Sequence, residues 1–125
     1  MKPIRVMVVD DSRPFASAVA QFLASEGGFE VLASAHSGTE ALARAPIERP
    51  ELMLVDVGMP GMDGLALTTR IKALATPPKI VMMTLEDSEK SRSGAVAAGA
   101  DGFLAKDDFA RDLPKVVQSL FVGPR

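Results

Sequence analysis

Short apolar runs alternate with helix-patterned stretches along the whole chain, and that alternation dictates βαβ units wound around a parallel sheet. Four of the runs stop on residues that carry chemistry. IRVMVVDD ends on Asp10 and Asp11, ELMLVD on Asp56, KIVMMT on Thr84 and DGFLAK on Lys106. In an open α/β sheet ligands sit at the carboxyl edge of the strands, so folding should gather these residues at one place. Three neighbouring carboxylates repel one another unless a cation holds them. The pattern points to a Mg²⁺ site with an aspartate, a lysine and a hydroxyl around it.

The strands are expected at Ile4–Val9, Glu30–Ser34, Glu51–Val55, Lys79–Met83 and Gly102–Ala105. Helices should fill the gaps. The first runs about Pro14–Ser25, with Phe15, Ala18, Val19, Phe22 and Leu23 on one face and Gly27-Gly28 as its stop. The second opens at Ser37-Gly-Thr-Glu40, a capping box. The third spans roughly Leu65–Leu74 with Asp63 as its cap, and the fourth about Ser88–Ala98, poor in large apolar residues. The last carries Leu113, Val116, Val117 and Leu120. Pro114 should delay its start to near Ala110–Asp112, because proline suits only a helix's first turn.

With 125 residues the chain is expected to be one domain, residues 1–125. A net charge of −2 gives no electrostatic footprint for nucleic acid or anionic lipid. There is no cysteine, which removes disulfides and thiolate chemistry. No apolar run approaches the ~20 residues that span a bilayer, and MKPIRVMVVDD lacks a signal-peptide pattern, so a cytoplasmic protein without membrane contact is the expectation.

The motifs VVDDS (Val8–Ser12), DVGMPGMDG (Asp56–Gly64), MMT (Met82–Thr84) and GFLAK (Gly102–Lys106) lie in this order at strand ends. Together they resemble the receiver domain of response regulators in two-component signalling, over nearly the whole chain. The resemblance implies a doubly wound five-stranded parallel sheet of flavodoxin-like order 2-1-3-4-5 with helices on both faces. It makes Asp56 the phosphoacceptor, taking a phosphoryl group from a histidine kinase or phosphotransfer protein. Asp11, Asp56 and the backbone carbonyl of Gly58 would ligate Mg²⁺, with Asp10 acting through a water, and Lys106 would meet a phosphoryl oxygen. Thr84 and Phe103 would be the switch pair, signalling through the face of helix four, strand five and helix five to a downstream protein. The implied protein is a monomer or a phosphorylation-linked dimer that touches no nucleic acid directly. It is no enzyme beyond catalysing its own phosphoryl transfer and dephosphorylation.

Several positions depart from the family pattern. Phe103 lacks the phenol of the commoner tyrosine. Asp107 stands where many receivers have a proline after a cis bond, so a trans bond with a redrawn loop, or a cis bond under strain, is expected; NarL-like receivers often read Lys-Asp here. Leu85 is larger than the usual residue and would crowd access to Asp56. Gly58 and Glu86 occupy positions that tune dephosphorylation.

Blander readings apply elsewhere. His36 reads as a solvated loop residue, Met59 and Met62 as loop packing, and Glu86–Arg92 as a solvated first turn. With no output domain following, the chain would be a stand-alone regulator or phosphorelay intermediate, although the receiver of a DNA-binding regulator would look the same. A phosphorylation-independent interaction module, a dehalogenase-type phosphohydrolase and an FMN protein compete with the switch for the same pattern. The phosphohydrolase needs an aspartate where Gly58 stands, and the FMN protein needs a Ser/Thr-rich loop where Asp10 and Asp11 stand.

Overall fold

The structure, a computed structural model, describes residues 2–121. Five strands, β1 (Ile4–Val9), β2 (Phe29–Val31), β3 (Leu52–Asp56), β4 (Lys79–Thr84) and β5 (Gly102–Ala105), form one sheet in the order β2-β1-β3-β4-β5. All neighbours are parallel. Between them lie α1 (Arg13–Glu26), α2 (Gly38–Glu48), α3 (Gly64–Lys72) and α4 (Glu89–Ala98), with α5 (Phe109–Phe121) last.

The three central strands are apolar in their interiors, with polar residues only near their ends, because both of their faces are covered. Val6, Val8, Leu52, Leu54, Val81 and Met83 pack with Ala16, Val19 and Leu23 of α1 and Leu113 and Val117 of α5. The intervening residues Met7, Val9, Met53, Val55, Ile80 and Met82 pack with Ala41 and Ala45 of α2, Leu67 and Ile71 of α3, and Ala95 of α4. Strand periodicity alone divides the core in two. On α1 the buried alanine is Ala16, and Ala18 faces solvent.

Differences from the sequence-based boundaries have local causes. β2 is shorter than Glu30–Ser34 because the ladder slips. Leu32 donates to the Val6 carbonyl and Ala35 to the Val8 carbonyl, three residues answering two. The Ala33 and Ser34 carbonyls turn away to accept from the Arg44 guanidinium, which also grips Glu48. The capping box of α2 is offset by one residue. The Ser37 hydroxyl accepts from the Glu40 N–H, but the Glu40 carboxylate accepts from His36.

Two prolines sit inside helices. Pro46 lies in α2, and Pro114 is the sixth residue of α5, which starts at Phe109 rather than in the expected range. A 3₁₀ turn at Lys106–Asp108 runs straight into α5, so the helix is already under way when Pro114 arrives. Each proline gives up one backbone donor. There is no cis peptide bond among the described residues, so Lys106–Asp107 is trans and the 3₁₀ turn is the redrawn loop.

α4 buries only Ala95 and leaves Val96 74% exposed. At the other extreme, Gly64 is buried where α3 begins. A Cβ there would lie 2.1 Å from the Asp56 carbonyl oxygen and 2.9 Å from the end of Met82. Only a bare backbone lets α3 start this close to the end of β3. Gly64→Ala is expected to cost about 1–3 kcal/mol, as overpacking does, seen as a lower urea midpoint with an unchanged slope.

Candidate functional site

Strand register decides which residues meet. Val9 pairs with Val55, so Asp10 and Asp11 follow β1 beside Asp56 at the end of β3. Thr84 pairs with Ala105, which places Lys106 one step beyond the last rung of β5. The order reverses between β1 and β3, and the crevice at such a reversal is where an open α/β sheet binds ligands.

Asp10 is fully enclosed and Asp56 nearly so, while Asp11 is exposed. One carboxylate oxygen from each lies within 4.8 Å of the others. Lys106, 7% exposed, stands 2.7 Å from Asp10 Oδ2 and 3.2 Å from Asp56 Oδ1. Asp10 Oδ2 is buried, and the Lys106 ammonium is what answers it among the described residues. Asp10 Oδ1 accepts from the Ser12 N–H at 2.8 Å. Asp56 Oδ1 accepts from the Gly58 N–H at 3.2 Å and faces Lys106, whereas Asp56 Oδ2 has no hydrogen-bond partner among the described residues.

Burial pushes the Asp56 carboxyl above its ordinary range, and the charge of Asp10 adds to it. The Gly58 N–H and the Lys106 ammonium oppose the rise without cancelling it. For Lys106 burial works against the charged form, but Asp10 and Asp56 outweigh it and hold the ammonium above its ordinary value. Three converging carboxylates answered by a single ammonium are a hard-oxygen donor set suited to a small divalent cation such as Mg²⁺.

The other expected site residues lie around this centre. The Thr84 hydroxyl is engaged in its own turn, donating to the Glu86 carbonyl at 3.0 Å and accepting from the Glu86 N–H at 3.2 Å. The Glu86 residue is exposed, and it meets Thr84 through backbone rather than carboxylate. Leu85 is 76% exposed. Gly58 contributes its N–H, and a Cβ on it would meet open space. Phe103 is half-buried under Arg92, whose guanidinium lies 5.0 Å from the ring centroid and grips Asp87 with two bonds of 2.8 Å.

Two neighbours escaped the sequence. His36 is not a plain solvated residue. It is half-buried, with Nδ1 3.0 Å from the Asp10 carbonyl oxygen, and since a carbonyl only accepts, Nδ1 carries the proton. The bridge of Val9 to Ala35 brings it there, a pairing beyond regular β2 that no pattern announces. Phe15, legible only as a helix-face residue, lays its ring 4.7 Å from Lys106 Nζ.

The model of the response regulator receiver domain family matches residues 6–118. The chain belongs to this family. This receiver is 39% identical over 112 residues to protein-glutamate methylesterase/protein-glutamine glutaminase 2 of Anaeromyxobacter dehalogenans, covering 90% of the receiver and 33% of that protein. The NarL signal receiver domain from Mycobacterium tuberculosis superposes with a TM-score of 0.90 at 29% identity, over 99% of this chain and 100% of that one. A chain of the Borrelia burgdorferi CheX–CheY–BeF₃–Mg²⁺ complex does so at 0.88 with 25% identity, over 96% of this chain and 90% of that one. The receiver spans from 33% to 57% of the length of the curated relatives it matches. It is a two-component signalling module with the flavodoxin-like winding of its relatives. Among the described residues no helix is long and apolar enough to cross a membrane.

Lys106 is the one cation paired with Asp10 and Asp56 among the described residues. Lys106→Met should lower stability in chelator by about 3 kcal/mol, the low end for breaking a buried pair because Asp56 keeps some solvent. Mg²⁺ should recover more of that loss in the variant than it adds to the unsubstituted chain, as thermal unfolding with and without the ion will show.

Proposed function

We propose that this receiver is a phosphoacceptor switch and that Asp56 takes the phosphoryl group. One observation supports this above the rest: Oδ1 of Asp56 is anchored by Gly58 and Lys106, while Oδ2 has no hydrogen-bond partner among the described residues. A carboxylate held by one oxygen presents the other as a nucleophile in fixed orientation. That oxygen attacks the phosphorus of a phosphohistidine on a kinase or phosphotransfer protein, opposite the leaving ring nitrogen. The O–P bond forms as the N–P bond breaks, and the bonding pair stays on the imidazole. An acyl phosphate remains on Asp56.

Asp11, Asp56 and the Gly58 carbonyl would hold Mg²⁺, with Asp10 acting through a water, and the ion would neutralise charge on the phosphoryl oxygens. The convergence of Asp10, Asp11 and Asp56 and the Mg²⁺ in the Borrelia CheY complex support that assignment. Lys106 supplies a point charge for a phosphoryl oxygen. Thr84 exchanges the Glu86 carbonyl for that new acceptor, and Phe103 follows into the space vacated. The α4–β5–α5 face then engages a protein target rather than nucleic acid or membrane, in the cytoplasm, as a monomer or as a dimer formed on phosphorylation. Leu85 narrows the approach to Asp56, and Gly58 and Glu86 set the lifetime of the product.

Incubation with acetyl phosphate and Mg²⁺ should add one phosphoryl group by intact-protein mass spectrometry. The gain should vanish in Asp56→Asn and in chelator. Normal Mg²⁺ binding with no gain would reject the switch in favour of a phosphorylation-independent interaction module. Gly58→Asn should fold normally, since its Cβ meets open space, and should shorten the acyl-phosphate lifetime several-fold by orienting water beside Asp56. Decay of the labelled mass after donor removal measures that lifetime.

A further inference from the structure

We propose that Phe15 is a positioning residue for phosphoryl transfer, the face of its ring holding the Lys106 ammonium beside Asp56 throughout the reaction. The inference rests on the reading of Asp56 as phosphoacceptor. Lys106 Nζ lies 4.7 Å from the centroid of the Phe15 ring, within the range where an ammonium is drawn to an aromatic face. Only 7% of Lys106 is exposed, so water screens that attraction little.

The ring is itself fixed. Phe15 meets Phe109 edge-on, with centroids 5.5 Å apart and planes at 76°. Phe22 meets the same Phe109 at 5.5 Å and 84°. Phe109 follows directly on the 3₁₀ turn that begins at Lys106. The aromatic cluster between α1 and α5 therefore holds the lysine at two points, by its ammonium through Phe15 and by its backbone through Phe109, whose N–H donates to the Lys106 carbonyl. A turn with a trans Lys106–Asp107 bond and no proline is pinned this way from outside.

The electrostatic surroundings of the other two partners of the ammonium change during the reaction. Asp56 gives up its free carboxylate character when the phosphoryl group arrives, and Asp10 belongs to the oxygens that would face a metal ion. A phenyl ring neither titrates nor binds magnesium. It is the partner of Lys106 that stays constant while the other two change, and so it sets where the ammonium waits for the phosphoryl oxygen.

The test keeps the full chain and changes only ring electrostatics. Phenylalanines carrying one, two, three or five fluorines at position 15 retain nearly the same shape while the ring face loses negative charge. Labelling rates with acetyl phosphate at saturating Mg²⁺ should fall stepwise along the series, by about tenfold in all, with Tm and Mg²⁺ affinity flat. The series should be flat in a Lys106→Met background. A rate independent of fluorination, or an equal slope without the lysine, would show that Phe15 only fills space. A second readout does not need phosphorylation. The Lys106 ε-methylene protons should carry an upfield ring-current shift by NMR that disappears in Phe15→Leu. Absence of that shift overturns the proposal, whereas its presence in a chain that never labels would place the failure in the phosphoacceptor reading.

Discussion

The fold carries an excess of negative charge that it does not neutralise by itself. Asp10, Asp11 and Asp56 converge within 4.8 Å, and among the described residues only Lys106 answers Asp10 and Asp56. Enclosing Asp10 with Lys106 as its one charged partner is costly, since taking both ions out of water loses solvation that a single ion pair repays only in part. Such an arrangement persists where something outside the chain completes it. A divalent ion and a phosphoryl group are complementary in this sense. The ion supplies positive charge to the carboxylates, and the phosphoryl group returns negative charge that Lys106 can meet. Burial first, and then the charge of Asp10, raises the Asp56 carboxyl, while Asp10 and Asp56 together hold Lys106 charged.

The imbalance is built by register, not by any single loop. Val9 opposite Val55 sets Asp10 beside Asp56, and Thr84 opposite Ala105 sets Lys106 across from them. A slip of one residue in either pairing would turn these side chains to the opposite face of the sheet. The apolar strands prevent that slip, because Val8 and Val9, or Leu54 and Val55, belong to different cores and exchanging them would strand each on the wrong side. Packing of methyl groups well below the site is thus what holds the carboxylates in place. Gly64 is the complementary device, admitting α3 against the backbone of Asp56 where any side chain would push it out.

Apolar runs and helix caps made the strands and helices legible in advance, because these are decided by neighbours in sequence. The order 2-1-3-4-5 followed instead from the resemblance to receiver domains, and the meeting of the carboxylates from the edge rule for open sheets. What stayed hidden depends on distant partners. The early end of β2 follows from Arg44 of α2 pulling the Ala33 and Ser34 carbonyls off the ladder, an interaction ten or eleven residues long. The start of α5 at Phe109 was misplaced because the proline rule counts residues from the cap and takes no account of a 3₁₀ turn feeding the helix. His36 and Phe15 carry no local mark. Each matters only because a bridge or a ring places it against Asp10 or Lys106. Of the candidate site, the acidic centre and its lysine were legible. The state of the hydroxyl and of the aromatic was not, since Thr84 is spent on Glu86 and Phe103 lies beneath Arg92.

Those last two contacts bear on how a local event at Asp56 could be read elsewhere, if the proposed function holds. Thr84 is bonded to Glu86, and the next residue, Asp87, holds the guanidinium that covers Phe103. Moving the Thr84 hydroxyl toward a phosphoryl oxygen breaks its bond to the same short loop that anchors Arg92. The loop leads into α4, which buries only Ala95, so shifting the start of that helix disturbs little of either core. Exposed Val96 would move with the helix at small cost. A switch has to be bistable where it moves and rigid where it reacts. Under the proposed function the rigid part would be the central strands, with Asp56 at the end of β3, and the movable part would be α4, the helix with the least burial to lose.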